Sequence, residues 1–143
     1  MTVDLQRLTR TTASLLDRLD PDVFDHPIRA DSLEAFLADP RHVMFLAVER
    51  GVVIGMASGF EYFHPDKPPH FFINEVGVSS AHQRRGIGRS LVEALLAEAR
   101  RRGCSFAWLG TERDNVGGNA CFGSVPGVAP AQPFNLYEWD WAD

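Results

Sequence analysis

Cysteine is scarce in this 143-residue sequence: only Cys104 and Cys121 occur, without a Cys-x-x-Cys spacing. Neither a disulfide framework nor a cysteine zinc site is suggested, and the two thiols read as small core residues. The five histidines, His26, His42, His64, His70 and His82, are scattered without metal-ligand spacing, so no metal is expected. No apolar run approaches the roughly twenty residues of a membrane-spanning helix. The segment Met1 to Arg10 also lacks the basic-then-apolar pattern of a secretory signal, which points to a cytoplasmic protein with no membrane partner. Positive charge is short as well: 14 Lys and Arg against 19 Asp and Glu leave a net charge of -5. Nucleic acid is therefore not an expected partner, because its binders need an excess of cations to displace phosphate counterions.

What the sequence does contain is ordinary globular material, 45% hydrophobic and 23% charged. Residues 1–143 read as a single domain, a size that buries roughly two thirds of the surface its unfolded chain exposes. The cations are unevenly placed. Arg84, Arg85, Arg89, Arg100, Arg101 and Arg102 crowd into one stretch of an otherwise acidic chain, which suggests one local anionic ligand and a cationic second partner.

Periodicity divides the chain into elements. Thr2 to Leu8 alternates weakly as a first strand. Thr11 to Leu19 reads as a helix, with Thr11 or Thr12 as cap, Leu15, Leu16 and Leu19 on one face, and Pro21 as stop. Pro21 to Arg29 reads as a loop, and Asp31 to Ala38 as a second short helix before Pro40. His42 to Glu49 and Val52 to Phe60 are apolar runs around Arg50-Gly51, the signature of a hairpin. His64 to His70, with three prolines, reads as a loop, and Phe71 to Val78 as a buried strand. Gly88 to Arg102 is the clearest helix, its stripe formed by Leu91, Val92, Leu95, Leu96 and Ala99. Cys104 to Leu109 follows as a strand parallel to Phe71 to Val78, since a helix connects the two. Asp114 to Phe122 is a helix weakened by Gly117-Gly118, and Phe134 to Trp141 closes the chain as an alternating strand. The expected fold class is α/β: a mixed, mainly antiparallel sheet flanked by helices, in the order strand, helix, helix, three strands, helix, strand, helix, strand.

The chemistry points to the turn Gln83-Arg84-Arg85-Gly86-Ile87-Gly88, ahead of the longest helix. A helix N-terminus offers unpaired N–H groups and the positive end of the helix dipole, both favourable to a phosphate. Gly86 and Gly88 remove side chains between ligand and backbone, while Arg84, Arg85 and Arg89 add charge. The turn lacks the Gly-Lys-Ser or Gly-Lys-Thr of nucleoside-triphosphate loops and the third glycine of dinucleotide folds.

With Gln83-x-x-Gly86-x-Gly88 after Glu75-Val76-Gly77-Val78, the sequence resembles the GNAT superfamily of acetyl-CoA-dependent N-acetyltransferases. The likeness runs from about His42 to Phe122 and looks closest to the aminoglycoside 3-N-acetyltransferase (gentamicin-type) branch. It implies acetyl-CoA as cosubstrate and a small-molecule primary amine, an aminoglycoside among the candidates, as acceptor. Proteins, amino acids and polyamines are alternative acceptors, and an inactive acyl-CoA-binding regulatory module is the alternative outside catalysis. By the same resemblance, Val76, Gly77 and Val78 would hold the pantetheine arm, Val76 or Val78 directing an N–H at the thioester oxygen. The amides of Gln83, Arg84, Arg85, Gly86, Ile87, Gly88 and Arg89 would hold the pyrophosphate, and Asn115 would touch the coenzyme.

An amine is protonated near pH 7 and must lose a proton before it attacks. Glu75, a lone carboxylate in an apolar strand, is the candidate general base, since burial raises a carboxylate's pKa. Phe122 occupies the place where the resemblance calls for a tyrosine acid. That leaves Tyr137, Ser124, water or an unassisted thiolate. Glu61, Asp66, Glu112, Asp114, Glu138 and Asp140 are candidates to line an acceptor cleft. Trp108, Trp139 and Trp141 are candidates for the core or a homodimer interface.

Overall fold

A computed structural model of the protein describes residues 2–142. Its sheet contains β1 (Asp4–Arg7), β2 (His42–Glu49), β3 (Val52–His64), β4 (Lys67–Val78) and β5 (Phe106–Trp108). They lie side by side in sequence order. β1 to β4 are antiparallel, and β5 joins β4 in parallel. Three α-helices accompany them: α1 (Ala30–Ala38), α2 (Ile87–Arg101) and α3 (Val116–Gly123).

The sheet carries a core on each face. On one, Leu91, Val92, Leu95 and Ala99 of α2 lie against Val43, Ala47, Ile54, Ala57, Phe71 and Ile73, all buried. This is the stripe that the 3.6-residue period marks, and its burial is what keeps α2 on the sheet. The second core gathers Leu8, Val23, Leu46, Val48, Val53 and Met56 beneath Leu33, Phe36 and Leu37 of α1.

Several elements depart from the sequence reading. Thr11 to Leu19 does not form an α-helix; only a 3₁₀ turn over Ala13–Asp17 appears, with no side-chain cap from Thr12. The chain leaves it to pair with β3, where Val53 N–H donates to Arg18 O and Asp20 N–H to Val53 O, each at 2.9 Å. His64 to His70 is not a loop but a tight hairpin between β3 and β4, whose ladder loses register between Tyr62 and His64, opposite Pro68 and Pro69. Proline has no N–H to donate there. Phe134 to Trp141 is not a strand; none of the described residues pairs with it, and its side chains are exposed.

The helix's arginine run is structural. Glu98, 8% exposed, receives hydrogen bonds from Arg101 and Arg102, with Arg7 of β1 3.5 Å away. Arg102 also donates to Glu61 at 3.0 Å and to Pro40 O at 2.9 Å. Burial alone would push the Glu98 carboxyl up, but the bonds from Arg101 and Arg102 and the Arg7 charge bring it down to about 2. A carboxylate held below its unfolded value of 4.5 contributes stability that is complete above pH 4.5 and is lost as pH falls toward 2. Glu98→Gln should therefore lower the melting temperature at pH 7 and flatten its decline between those pH values in an acid titration followed by circular dichroism.

Candidate active site

The site begins with a fault in the sheet. Ser58 pairs with Glu75 and Gly59 with Ile73, so Asn74 has no partner and forms a β-bulge. A bulge bends its strand and re-aims side chains. Asn74 and Glu75 accordingly face outward in succession, where strict alternation would bury one of them. Gly59 makes the distortion possible, since a Cβ there would lie 2.5 Å from both the Phe71 ring and Phe72 O.

Pairing between β4 and β5 ends at Phe72 and Trp108, just before the bulge. Ile73 to Val78 then continue with no partner on that side, leaving alternate main-chain N–H and C=O groups facing a gap. The gap is a cleft of about 430 Å³. Its walls are Ile73 to Val78, Gln83, Leu109 to Thr111 after β5, Asn115 and Phe122 of the α3 region, and Asp22, Val23 and Asp25 from the loop before α1.

That loop rests directly on β4. A Cβ at Gly77 would lie 2.3 Å from Val23 O, so only glycine allows the approach. Ser79 Oγ donates to Asp20 at 2.6 Å and Ser80 Oγ to Asp22 at 3.2 Å, pinning the loop to the turn after β4. Asp25 thereby meets Glu75. Partial burial, then the negative charge of Asp25 and a hydrogen bond with it, push the Glu75 carboxyl up, against a smaller downward pull from His26. Glu75 is nonetheless more exposed than a lone carboxylate in an apolar strand suggests, because the bulge turns it into the cleft.

At the other end of β4 the chain curls through left-handed Arg84 (φ 64°) and Gly86 (φ 76°) into α2. No side chain caps this helix, so its first N–H groups stay available. Gln83 Nε2 ties the curl to Val78 O at 3.3 Å. Nothing lies within 4 Å of a Cβ built on Gly86, whereas one on Gly88 would meet Cys121 Sγ at 3.1 Å beside Val76 and Val78. Ile87 is buried in the main core.

The structure brings Glu75, Val76, Gly77, Val78, Gln83 and Asn115 to one cleft, with Gly86 and Gly88 at the adjoining helix start. It separates the three arginines. Arg85 binds the buried Glu49 through two hydrogen bonds of 2.7 and 3.3 Å, and Arg89 pairs with Glu93 one turn on. Arg84 makes no ion pair or side-chain hydrogen bond among the described residues. Asn115 caps α3, accepting from Gly118 N–H at 3.0 Å and donating to Thr111 Oγ1 at 2.8 Å. Phe122 lines the cleft, while Tyr137 is 74% exposed in the tail and Ser124 Oγ is bonded to Cys121 O. None of Glu61, Asp66, Glu112, Asp114, Glu138 and Asp140 lines the cleft. Its carboxylates are Glu75, Asp22 and Asp25, and the last two escaped sequence reasoning because fifty-odd residues of chain separate them from the residues they meet. Trp108, Trp139 and Trp141 are exposed, not core residues, and both cysteines are free and half-buried. No group of His, Cys, Asp and Glu among the described residues could hold a metal, and none of the described helices is long and apolar enough to cross a membrane.

Arg84 and Arg85 differ in a measurable way. Arg85→Ala should lower the melting temperature by removing both guanidinium hydrogen bonds to the buried Glu49, and Arg84→Ala should leave it unchanged.

Comparison with known proteins gives this geometry its family. The model of the acetyltransferase (GNAT) family matches residues 9–124. The N-alpha-acetyltransferase RimI of Mycobacterium tuberculosis is 30% identical over 125 residues, covering 86% of this chain and 77% of that protein. Among solved structures, an aminoglycoside acetyltransferase from an uncultured soil metagenomic sample, in complex with sisomicin, superposes with a TM-score of 0.79. It is 17% identical and covers 96% of this chain and 95% of its own. The aminoglycoside acetyltransferase AAC(6')-Iy, in complex with a bisubstrate analogue of CoA and acetylneamine, gives 0.78 at 20% identity over 98% of this chain and 99% of its own. At such identities the structural likeness establishes the fold, a mixed α/β sheet flanked by helices, and the aminoglycoside names do not single out a 3-N branch. With the family model spanning most of the chain and the split sheet in place, this protein belongs to the GNAT acetyltransferase family.

Proposed function

We propose that residues 1–143 form one catalytic domain that moves an acetyl group from acetyl-CoA to the primary amine of a small molecule by direct attack. The observation that carries this reading is the gap between β4 and β5, with an uncapped helix start at one end and the Glu75–Asp25 pair at the other. The fit to a diphosphate rests on the curl at Arg84 and Gly86, the open space above Gly86, and the unpaired guanidinium of Arg84. The amides of Gln83 to Arg89 would hold the pyrophosphate. Val76, Gly77 and Val78, whose strand lacks a neighbour, would hold the pantetheine arm, and Asn115 would stand beside it. Acetyl-CoA supplies an acyl thioester. Main-chain N–H groups of Val76 or Val78 on the open side are suited to stabilising charge on its oxygen.

Glu75 takes the proton from the acceptor ammonium. A carboxyl pushed upward is a stronger base than an ordinary one, closer to what proton abstraction near neutrality needs. No hydroxyl acid faces the cleft at Phe122, so the thiolate leaves with a proton from water or unassisted. The aminoglycoside reading is supported by the neighbours' names, and the 3-N position within it has no support beyond the motif. The RimI relative supports a protein N-terminus as the alternative acceptor. Phe122 favours the other alternative, an inactive coenzyme-binding module.

Calorimetry with coenzyme A and thiol-release assays with amines separate these readings. Wild-type protein should bind coenzyme A, and Arg84→Ala should weaken binding roughly tenfold, about 1.4 kcal/mol. Glu75→Gln should keep binding while turnover falls by about 10²-fold or more. Because Glu75 acts as base only above its raised pKa, activity should decline as pH falls through that value. Asp25→Asn should move the decline to lower pH. Binding without thiol release for any amine would instead mark the inactive module.

A homodimer is supported by the tail. Phe134, Leu136, Tyr137, Trp139 and Trp141 are 63–86% exposed, more apolar surface than a monomer usually leaves to water. The free edge of β5, with exposed Phe106 and Trp108, offers a pairing partner in a second copy. Light scattering should give twice 15.9 kDa for the full chain and a monomer for a chain ending at Gly127.

A further inference from the structure

A second cavity, of about 230 Å³, lies on the face of the sheet that carries α1. Phe36 of α1, His42 and Met44 of β2, and Ser58, Gly59 and Phe60 of β3 line it, and it meets the first cleft at Asn74 and Glu75. The two cavities thus share the bulge and its carboxylate. Gly59, part of the cavity's lining, accommodates the bulge, since a Cβ there would lie 2.5 Å from the Phe71 ring and from Phe72 O.

The cavity's walls differ in kind from those of the first cleft. Apart from Glu75 they contain no carboxylate, and the acidic residues Glu61 and Asp66 of the same hairpin point elsewhere, Glu61 into an ion pair with Arg102 and Asp66 into one with Lys67 and a hydrogen bond with His64. Rings dominate instead. Phe36, His42 and Phe60 line the cavity with centroids 5.5 and 5.2 Å apart, and beyond it the row of rings continues to Phe72 and Trp108 at 5.7 and 4.4 Å. Trp108 is fixed at the edge by its indole N–H, which donates to Tyr62 Oη at 2.8 Å.

A primary amine presented to Glu75 from this side carries its body into the aromatic cavity. We propose that the acceptor is a small primary amine bearing an aromatic or comparably bulky apolar group a few bonds from its nitrogen. The ammonium meets Glu75, with Asp25 beside it, and the apolar group displaces water from Phe36, Met44 and Phe60. A polyamine or aminoglycoside laid along the same path would bury a second ammonium where no carboxylate answers it, a costly arrangement. This inference rests on the acetyltransferase reading and narrows it to a substrate class.

The test compares 2-phenylethylamine, ethylamine, spermidine and neamine as acceptors for the wild-type protein with acetyl-CoA, following thiol release. The expected result is a kcat/KM for 2-phenylethylamine at least tenfold above that of each of the others. Phe36→Ala, which opens one wall of the cavity, should raise KM for 2-phenylethylamine severalfold more than it raises KM for ethylamine. Equal kcat/KM for ethylamine and 2-phenylethylamine, a preference for spermidine or neamine, or coenzyme binding with no amine acetylated would each overturn the assignment. Failure to bind coenzyme A in calorimetry would instead remove the acetyltransferase reading beneath it.

Discussion

The extra residue at Asn74 is the constraint on which the site depends. By bending β4 it ends the pairing with β5 after Phe72 and Trp108, and the sheet opens there instead of continuing its ladder. The same distortion turns Glu75 outward and leaves a run of main-chain polar groups without a neighbour. Such groups are costly when buried dry, so the gap is a surface ready for a hydrogen-bonding ligand. Glycine permits each of the close approaches around it: Gly59 beneath the Phe71 ring, Gly77 beneath the Val23 carbonyl.

Charge is sorted with similar economy. Of six arginines clustered between positions 84 and 102, Arg101 and Arg102 converge on Glu98 and fasten the end of α2 to β1 and β3. Arg85 closes on Glu49, with His82 within 3.7 Å of the same carboxylate, and fixes the start of α2 to the end of β2. α2 is thus anchored at both ends, which holds its uncapped N-terminus against the open strand. Of the turn's two arginines, Arg84 has no partner among the described residues. Negative charge lines the cleft through Glu75, with Asp25 against it, and Asp22, which accepts from Ser80 in the turn after β4.

The two cavities divide the surface around Glu75 by chemistry. The first is walled by unpaired backbone, the second by rings, and they touch only at the bulge. A carboxylate at such a junction faces main-chain polar groups on one side and aromatic side chains on the other.

The sequence by itself determined the elements whose signals are local. The apolar runs from His42 to Val78, the stripe from Leu91 to Ala99 and the Gly86-x-Gly88 turn follow from short-range periodicity and glycine, and they carried the fold class, the parallel β4–β5 pairing and the place of Glu75. Tertiary structure decided what depends on contacts between distant residues. The helix read at Thr11 to Leu19 gave way to hydrogen bonds with Val53, and the strand read at Phe134 to Trp141 found no pairing strand among the described residues. Asp25 reached Glu75, Arg85 reached Glu49, and the acidic residues read as cleft lining were drawn into other pairs or left at the surface. Alternation and capping signals extend over a few residues, whereas a charge chooses its partner among all the groups that folding brings near, and no local pattern encodes that choice.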